Sequence, residues 1–391
     1  MEHGTAGQSY AWEGEVITNA TRKPNQLFND NPLKLGIFGI NAINAQTVAP
    51  GSWHPGWDEV LAAALAVDDA GFEAIVPIAR WKGYVDGEPD HRTNDVFDTF
   101  SFAAALGQAT KYATIFSTVH ASLVHPMMMA KLGATIDHIA HGRWALNIVG
   151  GWNRPEFDMF GIELREHQAR YDFLQEWLDA LRALWTADKE IDWDSENFRM
   201  KGAVSRPKPL QQPTPPVMNA GYSPAGRDFT ARNSDIGFVM IQDGNPDNWR
   251  TQVAAVKELG RQAGRELKVW TAAHIVQAPS HEEATRYIDE YVSQYADSKC
   301  IDSHVKTLAM EAQGLNDAAI NMYRRQVAIG FGWVLPGPPE FIADELQAMT
   351  DAGFDGVLLG WHNFIDGIAQ FRRDVMPILE ARNLRKPFAG V

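Results

Sequence analysis

Short apolar runs alternate with amphipathic helical stretches from residue 34 to the C-terminus, and that alternation restricts the fold more than any other feature. The apolar runs predict buried strands at Leu35 to Ile40, Ala74 to Ile78, Ala113 to Val119, Trp144 to Val149, Pro216 to Asn219, Ile236 to Met240, Lys268 to Ile275 and Gly356 to Leu359. Between the first two, Trp57, Val60, Leu61, Ala64 and Leu65 recur at i, i+3, i+4, i+7 and i+8, marking a helix that stops at Gly71. Later stretches with the same spacing predict helices at Thr99 to Gln108, Pro126 to Ile139, Gln168 to Trp185, Pro224 to Asn233, Asn248 to Gln262, His281 to Val292, Pro339 to Ala352 and Ile365 to Ala381. Eight strands alternating with helices, and no Gly-x-Gly-x-x-Gly after the first strand, predict an α/β fold closed as a (β/α)8 TIM barrel rather than an open doubly wound sheet.

Residues 1–33 are polar, lack a sustained period and are expected to form an irregular N-terminal arm. Residues 34–391 are expected to form a single barrel domain with insertions near 186–215 and 293–337. The first insertion ends in Lys-Pro-Leu-Gln-Gln-Pro-Thr-Pro-Pro, which cannot be helix interior. The second shows no clean strand, and its length and polar side chains suggest a lid.

Composition removes several function classes. A net charge of −14 without a basic stripe repels a phosphate backbone, so no nucleic-acid partner is expected. The longest apolar stretches, such as Leu61 to Val67, fall far short of the ~20 residues a bilayer helix needs, and no secretory h-region opens the sequence. Neither a membrane location nor export is therefore expected. Cys300, the single cysteine, excludes an internal disulfide or a multi-thiolate zinc site and fits a reducing cytoplasm. The 12 histidines are scattered without a His-Glu-x-x-His pair, so no metal is expected.

In a barrel of this kind the chemistry lies where strands end. There the sequence delivers Ala79-Arg80-Trp81, Thr118 and His120, Asn147 followed by Gly150-Gly151, Gly221-Tyr222-Ser223-Pro224, and Trp361-His362-Asn363. Asn147 is the one polar member of an apolar strand, so it needs a partner; it and Thr118 are either satisfied core groups or site residues. Ser223 as N-cap with Pro224 at the first helical position suits an anion at a helix N-terminus, or an ordinary cap facing water. Arg170 and Tyr171 open the preceding helix and could supply a guanidinium and a hydroxyl to the same phosphate, although Arg170 could instead pair with Glu166. Glu156 is a candidate acceptor for a ligand hydroxyl or ring. His54, His120 and His125 are candidate acids or bases, and Trp81, Trp152 and Trp361 either wall an aromatic ligand or fill the core.

With Ala-Thr-Ile-Asp-His-Ile-Ala-His-Gly-Arg at 134–143, Asn147 to Trp152, Pro155-Glu156, Arg170-Tyr171, Lys-Pro-Leu-Gln-Gln-Pro at 208–213 and the Ala-Gly-x-Ser turn in place, the sequence resembles the bacterial luciferase-like flavin-dependent monooxygenases. The likeness runs from about Leu35 to Leu379 and is strongest to the pyrimidine and dimethyl-sulfone branch. It implies a luciferase-like TIM barrel that binds FMN, with Ala79, Arg80, Asn147 and Glu156 near the ring and Arg170, Tyr171 and Ser223 around the phosphate. It also implies Thr118 and Asn147 as the catalytic pair that holds O2 beside the flavin.

The implied activity is two-component: FMN reduced by a separate NAD(P)H:flavin reductase reacts with O2, and a flavin peroxide oxygenates a small heterocyclic amide or imide, a sulfone or a related compound. A homodimer or homotetramer is implied as well. His54, Trp81, His120 and Trp361 are the candidate substrate contacts. Arg80 stands where the pyrimidine branch has lysine, and His120 and His125 where it has apolar or small residues, so the substrate is left open. Alternative readings are an F420-dependent oxidoreductase on the same fold and a non-catalytic flavin-binding protein. A barrel hydrolase is disfavoured, because no acids or ligands cluster at the strand ends.

Overall fold

The computed structural model describes residues 25–311 and 317–390. The first 24 residues of the expected arm and residues 312–316 of the second expected insertion lie outside the described residues. The first half of the chain forms β1 (Lys34–Phe38), α1 (Trp57–Asp69), β2 (Ala74–Val76), α2 (Thr99–Ala109), β3 (Thr114–His120), α3 (Pro126–Ile139), β4 (Trp144–Val149), α4 (Arg154–Met159) and α5 (His167–Thr186). A hairpin, β5 (Ile191–Asp194) and β6 (Arg199–Ala203), precedes β7 (Val217–Asn219), α6 (Pro224–Asn233), β8 (Ile236–Phe238), α7 (Pro246–Gln262) and β9 (Lys268–Gln277). Then come α8 (His281–Ser293), α9 (Ser298–Glu311), α10 (Asp317–Ile329), β10 (Trp333–Gly337), α11 (Pro339–Asp351), β11 (Gly356–Gly360), α12 (Phe364–Asp374) and α13 (Met376–Ala381).

Eight parallel strands close on themselves in the order β9-β11-β1-β2-β3-β4-β7-β8, with β8 pairing back to β9. This is the (β/α)8 barrel expected from the alternation. Strand parity divides the side chains. Val76, Phe116, Ala145, Met218, Trp270, Ala272 and Leu358 form an interior cluster, while their neighbours Ile75, Ile115, Leu146, Val217, Val269 and Val357 join the layer under the helices. Burying a ring as large as Phe116 is worth about 1.5–3 kcal/mol.

The structure adds elements that periodicity did not reveal. The strand expected nowhere in 293–337 is β10, which pairs with Ala273 to Gln277, the part of β9 that extends beyond its pairing with β8. Its sequence, Trp-Val-Leu-Pro-Gly, has no alternation to read. The 186–215 insertion carries the antiparallel β5–β6 pair, and the helix expected over Ile365 to Ala381 divides at Val375 into α12 and α13, with Pro377 opening the second. The described end of the N-terminal arm is ordered: Asn25 caps a 3-10 turn, Gln26–Phe28, and Leu27 joins the interior cluster. The Asn25 side chain also accepts from Thr114 Oγ1 (2.9 Å) and donates to Gln211 Oε1 (2.9 Å), which seats the turn where the strands begin.

Beside that plug, Glu73 accepts hydrogen bonds from Asn31, from the Leu35 amide and from Arg385, so a fully buried ion pair ties the C-terminal segment to β1 and β2. Among the described residues no helix is long and apolar enough to cross a membrane.

Candidate active site at the carboxyl ends of the strands

Thr118 follows Phe116 by two residues on β3, and Asn147 follows Ala145 by two on β4, so both continue the inward-facing set one step above the interior cluster. The β3–β4 register places them side by side. Asn147 Nδ2 donates to Thr118 Oγ1 at 3.2 Å, and the Thr118 hydroxyl donates to the Pro77 carbonyl at 2.6 Å. Asn147 Oδ1 is buried without a hydrogen-bond partner among the described residues. Leaving a buried acceptor unpaired costs about 1–3 kcal/mol, so the arrangement is suited to a ligand that supplies a donor.

Glu156, on α4, lies deeper than a loop carboxylate normally does. Its Oε1 accepts from the Trp81 amide at 2.9 Å and the Lys82 amide at 3.4 Å, and it thereby fixes the loop after β2. Its Oε2 faces His120 Nδ1 at 3.4 Å, close enough for charge attraction but outside hydrogen-bond geometry. Burial pushes the His120 pKa down, and the Glu156 charge opposes that shift. Ala79, Arg80, Trp81, Thr118 and His120 line one small cavity together.

The expected phosphate seat forms where α5 and α6 begin. Asn219 Oδ1, at the end of β7, accepts from the Gly221 amide at 2.9 Å, and Ser223 Oγ accepts from the Gly226 amide at 3.1 Å. A Cβ on Gly221 would collide with the Gly226 backbone, and one on Gly226 would collide with the Tyr171 hydroxyl, so this cradle admits no side chain at either position. Tyr171 hydrogen-bonds Ser223, and burial raises its pKa, which keeps the hydroxyl a donor. Arg170 Nη1 donates to the Gly151 carbonyl at 2.7 Å.

A larger cavity, about 360 Å3, opens across the barrel mouth. Phe38, Ile78, Tyr84, Trp152, His304 and Phe331 line it, and so does Arg80, which links it to the cavity at Thr118. The Arg80 guanidinium lies 4.6 Å over the Tyr84 ring, and Tyr84 stacks on His304 at 4.0 Å. Burial and the Arg80 charge push His304 down to about 4, so it is neutral at pH 7. His304 on α9 and Tyr323 and Gln326 on α10 come from the segment expected to be a lid.

Two of the candidate substrate contacts lie elsewhere. His54 is exposed and faces Asp95 at 3.5 Å, and it lines neither cavity. Trp361 is buried against Phe364 and Phe371, filling the layer between β11 and α12. Trp81 lines the smaller cavity while 45% exposed, edge-on to Phe160. His125 caps α3 through the Met127 amide, so its role there is structural. Sequence reasoning missed Tyr84, His304 and Phe331. Tyr84 is an aromatic residue in a polar loop, a signal that was available; the other two sit in a segment whose path no periodicity discloses.

Comparison with known proteins agrees with this architecture. The dimethylsulfone monooxygenase of Pseudomonas putida, named as FMNH2-dependent, is 28% identical over 89% of this chain and 95% of its own length. The pyrimidine monooxygenase RutA of Variovorax paradoxus is 27% identical over 90% and 95%. The crystal structure of DmoA from Hyphomicrobium sulfonivorans superposes with a TM-score of 0.79 at 20% identity, covering 90% of this chain and 88% of that one, a likeness of fold. The family model described as Luciferase-like monooxygenase matches residues 33–356. The chain therefore belongs to the luciferase-like monooxygenase family.

Proposed function

We propose that the protein is a two-component monooxygenase that takes reduced FMN from a separate NAD(P)H:flavin reductase and uses it with O2 to oxygenate a small organic substrate. One observation carries the reading: Tyr171 and the Ser223 cap at the start of α6 stand on the same barrel face as the Thr118–Asn147 pair with its unpartnered Asn147 Oδ1. An orphaned acceptor for a ring N–H, and a guanidinium and two hydroxyls gathered at a helix N-terminus for a phosphate, suit a flavin nucleotide, so these residues fit the group.

In this reading Arg170, Tyr171 and Ser223 hold the phosphate, by one charged and two neutral donors at a helix N-terminus. Ala79, Arg80 and Asn147 border the ring. Reduced FMN supplies the electrons that activate O2. The chain's own contribution is placement and exclusion. Thr118, fixed by its bond to Pro77, orients the Asn147 amide beside the oxygen, and Glu156 acts through the loop it anchors, setting the position of Ala79 and Arg80. His120, kept neutral by burial, can take a proton at Nδ1, where Glu156 would stabilise the resulting cation. Helices α9 and α10 over the mouth keep bulk water from the reacting atoms. The FMNH2 dependence in the name of the Pseudomonas putida relative supports the use of reduced FMN, which a separate reductase would have to supply. A cytoplasmic location and a homodimer or homotetramer complete the proposal, with no nucleic-acid or membrane partner.

The test is oxygen consumption with a generic flavin reductase, FMN and a panel of small heterocycles and sulfones under 18O2. The expected result is substrate-dependent transfer of one labelled atom to product. Reduction of F420 by an alcohol without oxygen would replace this reading with a deazaflavin dehydrogenase. Flavin binding without any substrate-dependent oxygen uptake would replace it with a non-catalytic carrier.

A further inference from the structure

The larger mouth cavity has a chemical character of its own. At about 360 Å3 it lies near the lower end of small-molecule pockets. Among the described residues, no Asp, Glu or Lys lines it, and its one guanidinium, Arg80, is the residue it shares with the cavity at Thr118. Its walls are flat rings at low mutual angles. Tyr84 and His304 stack with planes 8° apart, and Trp152 lies 6.2 Å from Tyr84 and 5.8 Å from His304 at 26° and 19°. Phe38 meets Phe331 at 4.5 Å.

Two of the three lining amides, Asn44 and Gln326, commit donors to the main chain, and the third, Gln46, accepts from the Cys300 thiol. Asn44 Nδ2 donates to Phe38 O at 3.2 Å, and Gln326 Nε2 donates to Gly330 O and Gly332 O at 2.8 and 2.7 Å. His304 is neutral. A cation entering this chamber would be repelled by the Arg80 guanidinium, which already takes the cation–π contact that Tyr84 offers, and an anion would find only that same Arg80. Flat rings, in contrast, gain both burial and offset stacking.

We infer that this chamber binds an uncharged, flat aromatic or heteroaromatic substrate, held by the rings of Trp152, His304 and Phe331, with Tyr84 fixed behind them between Arg80 and His304. The inference rests on the proposed flavin seat, because none of the residues assigned to it except Arg80 lines the chamber, which leaves the chamber to the substrate.

Four probes on one bicyclic frame separate shape from charge: 2-naphthol, 2-naphthoate, 2-naphthylmethylammonium and decahydro-2-naphthol. Each is titrated calorimetrically into the whole chain at pH 7, without flavin and again with oxidised FMN. The expected order puts 2-naphthol about tenfold or more ahead of the other three, unchanged by FMN. Trp152→Leu and, independently, His304→Leu each weaken 2-naphthol about three- to tenfold, the value of one stacked ring, with an unchanged circular dichroism spectrum. Equal or tighter binding of either ion or of the puckered ring overturns the inference, and so does failure of all four to bind. Loss of 2-naphthol binding when FMN is added also overturns it, since the chamber would then belong to the cofactor. Because no oxygen or reductant is present, a negative result here leaves the oxygenase assay to stand or fall separately.

Discussion

Arg170 carries the most direct expectation for a single residue. Its guanidinium is half-buried at the Gly150–Gly151 turn, bonded to the Gly151 carbonyl and beside the Tyr171–Ser223 pair. Arg170→Ala is expected to weaken FMN binding by about 1.5–3 kcal/mol, the range of a charged hydrogen bond, in a fluorescence-quenching titration; unchanged affinity removes the phosphate role. Asn147→Ala is expected to act differently, lowering product formed per O2 consumed more than it lowers flavin affinity, and equal loss of both would reject its place beside oxygen. Asn147 was legible because it is the one polar residue in an apolar strand, and Thr118 because it stands at a strand end. Their mutual bond was not legible, since it depends on the β3–β4 register. Nor was the partner of Glu156: a short helix, α4, turns its carboxylate inward to the backbone of a loop far away in sequence.

Long helices were legible as elements because their apolar stripes repeat over several turns, as with Phe173, Trp177, Leu181 and Leu184 on α5. The short barrel strands were legible as apolar runs, whereas the polar hairpin β5–β6 and β10, whose proline and glycine hide it, were not. Strand β9 brings a feature invisible to pattern: His274 is wholly buried, with both ring nitrogens unpartnered among the described residues, behind Gly330 and Gly360. Burial, with His362 nearby, pushes it down to about 3. His362 follows β11, accepts or donates at 2.6 Å with the Tyr287 hydroxyl on α8, and is pushed down to about 4, as is His304. The unfolded chain binds these protons near pH 6.5, whereas the folded chain does not until the pH is much lower. Stability is therefore full above pH 6.5 and declines as the pH falls from there toward 4, each pKa unit of depression being worth about 1.4 kcal/mol. Thermal melts across that window are expected to show a falling Tm with a shallower slope in His274→Leu; identical slopes in the two proteins would contradict the assignment.

At the scale of the molecule, the alternation of strands and helices was enough to indicate a closed barrel, because eight strand–helix pairs with no nucleotide-binding glycine turn leave few other arrangements. How the barrel is sealed was not legible. Leu27 plugs one end, and Arg385 reaches back to Glu73 with both side chains almost fully buried, contacts that join the two ends of the described chain. Arg385→Met strands the Glu73 charge, and urea denaturation is expected to show a loss of about 3–5 kcal/mol; a loss under 1 kcal/mol would mean that the pair does not close the fold.

The opposite end is where function is proposed, and the account depends on one nucleotide binding there in one orientation. Diffraction from crystals soaked with FMN tests this most directly. The phosphate is expected within hydrogen-bond reach of Arg170, Tyr171 and Ser223, with the ring beside Ala79 and Arg80 over Thr118 and Asn147, leaving the Tyr84–His304 chamber open. Density for the phosphate away from Ser223, or for the ring inside that chamber, would contradict it.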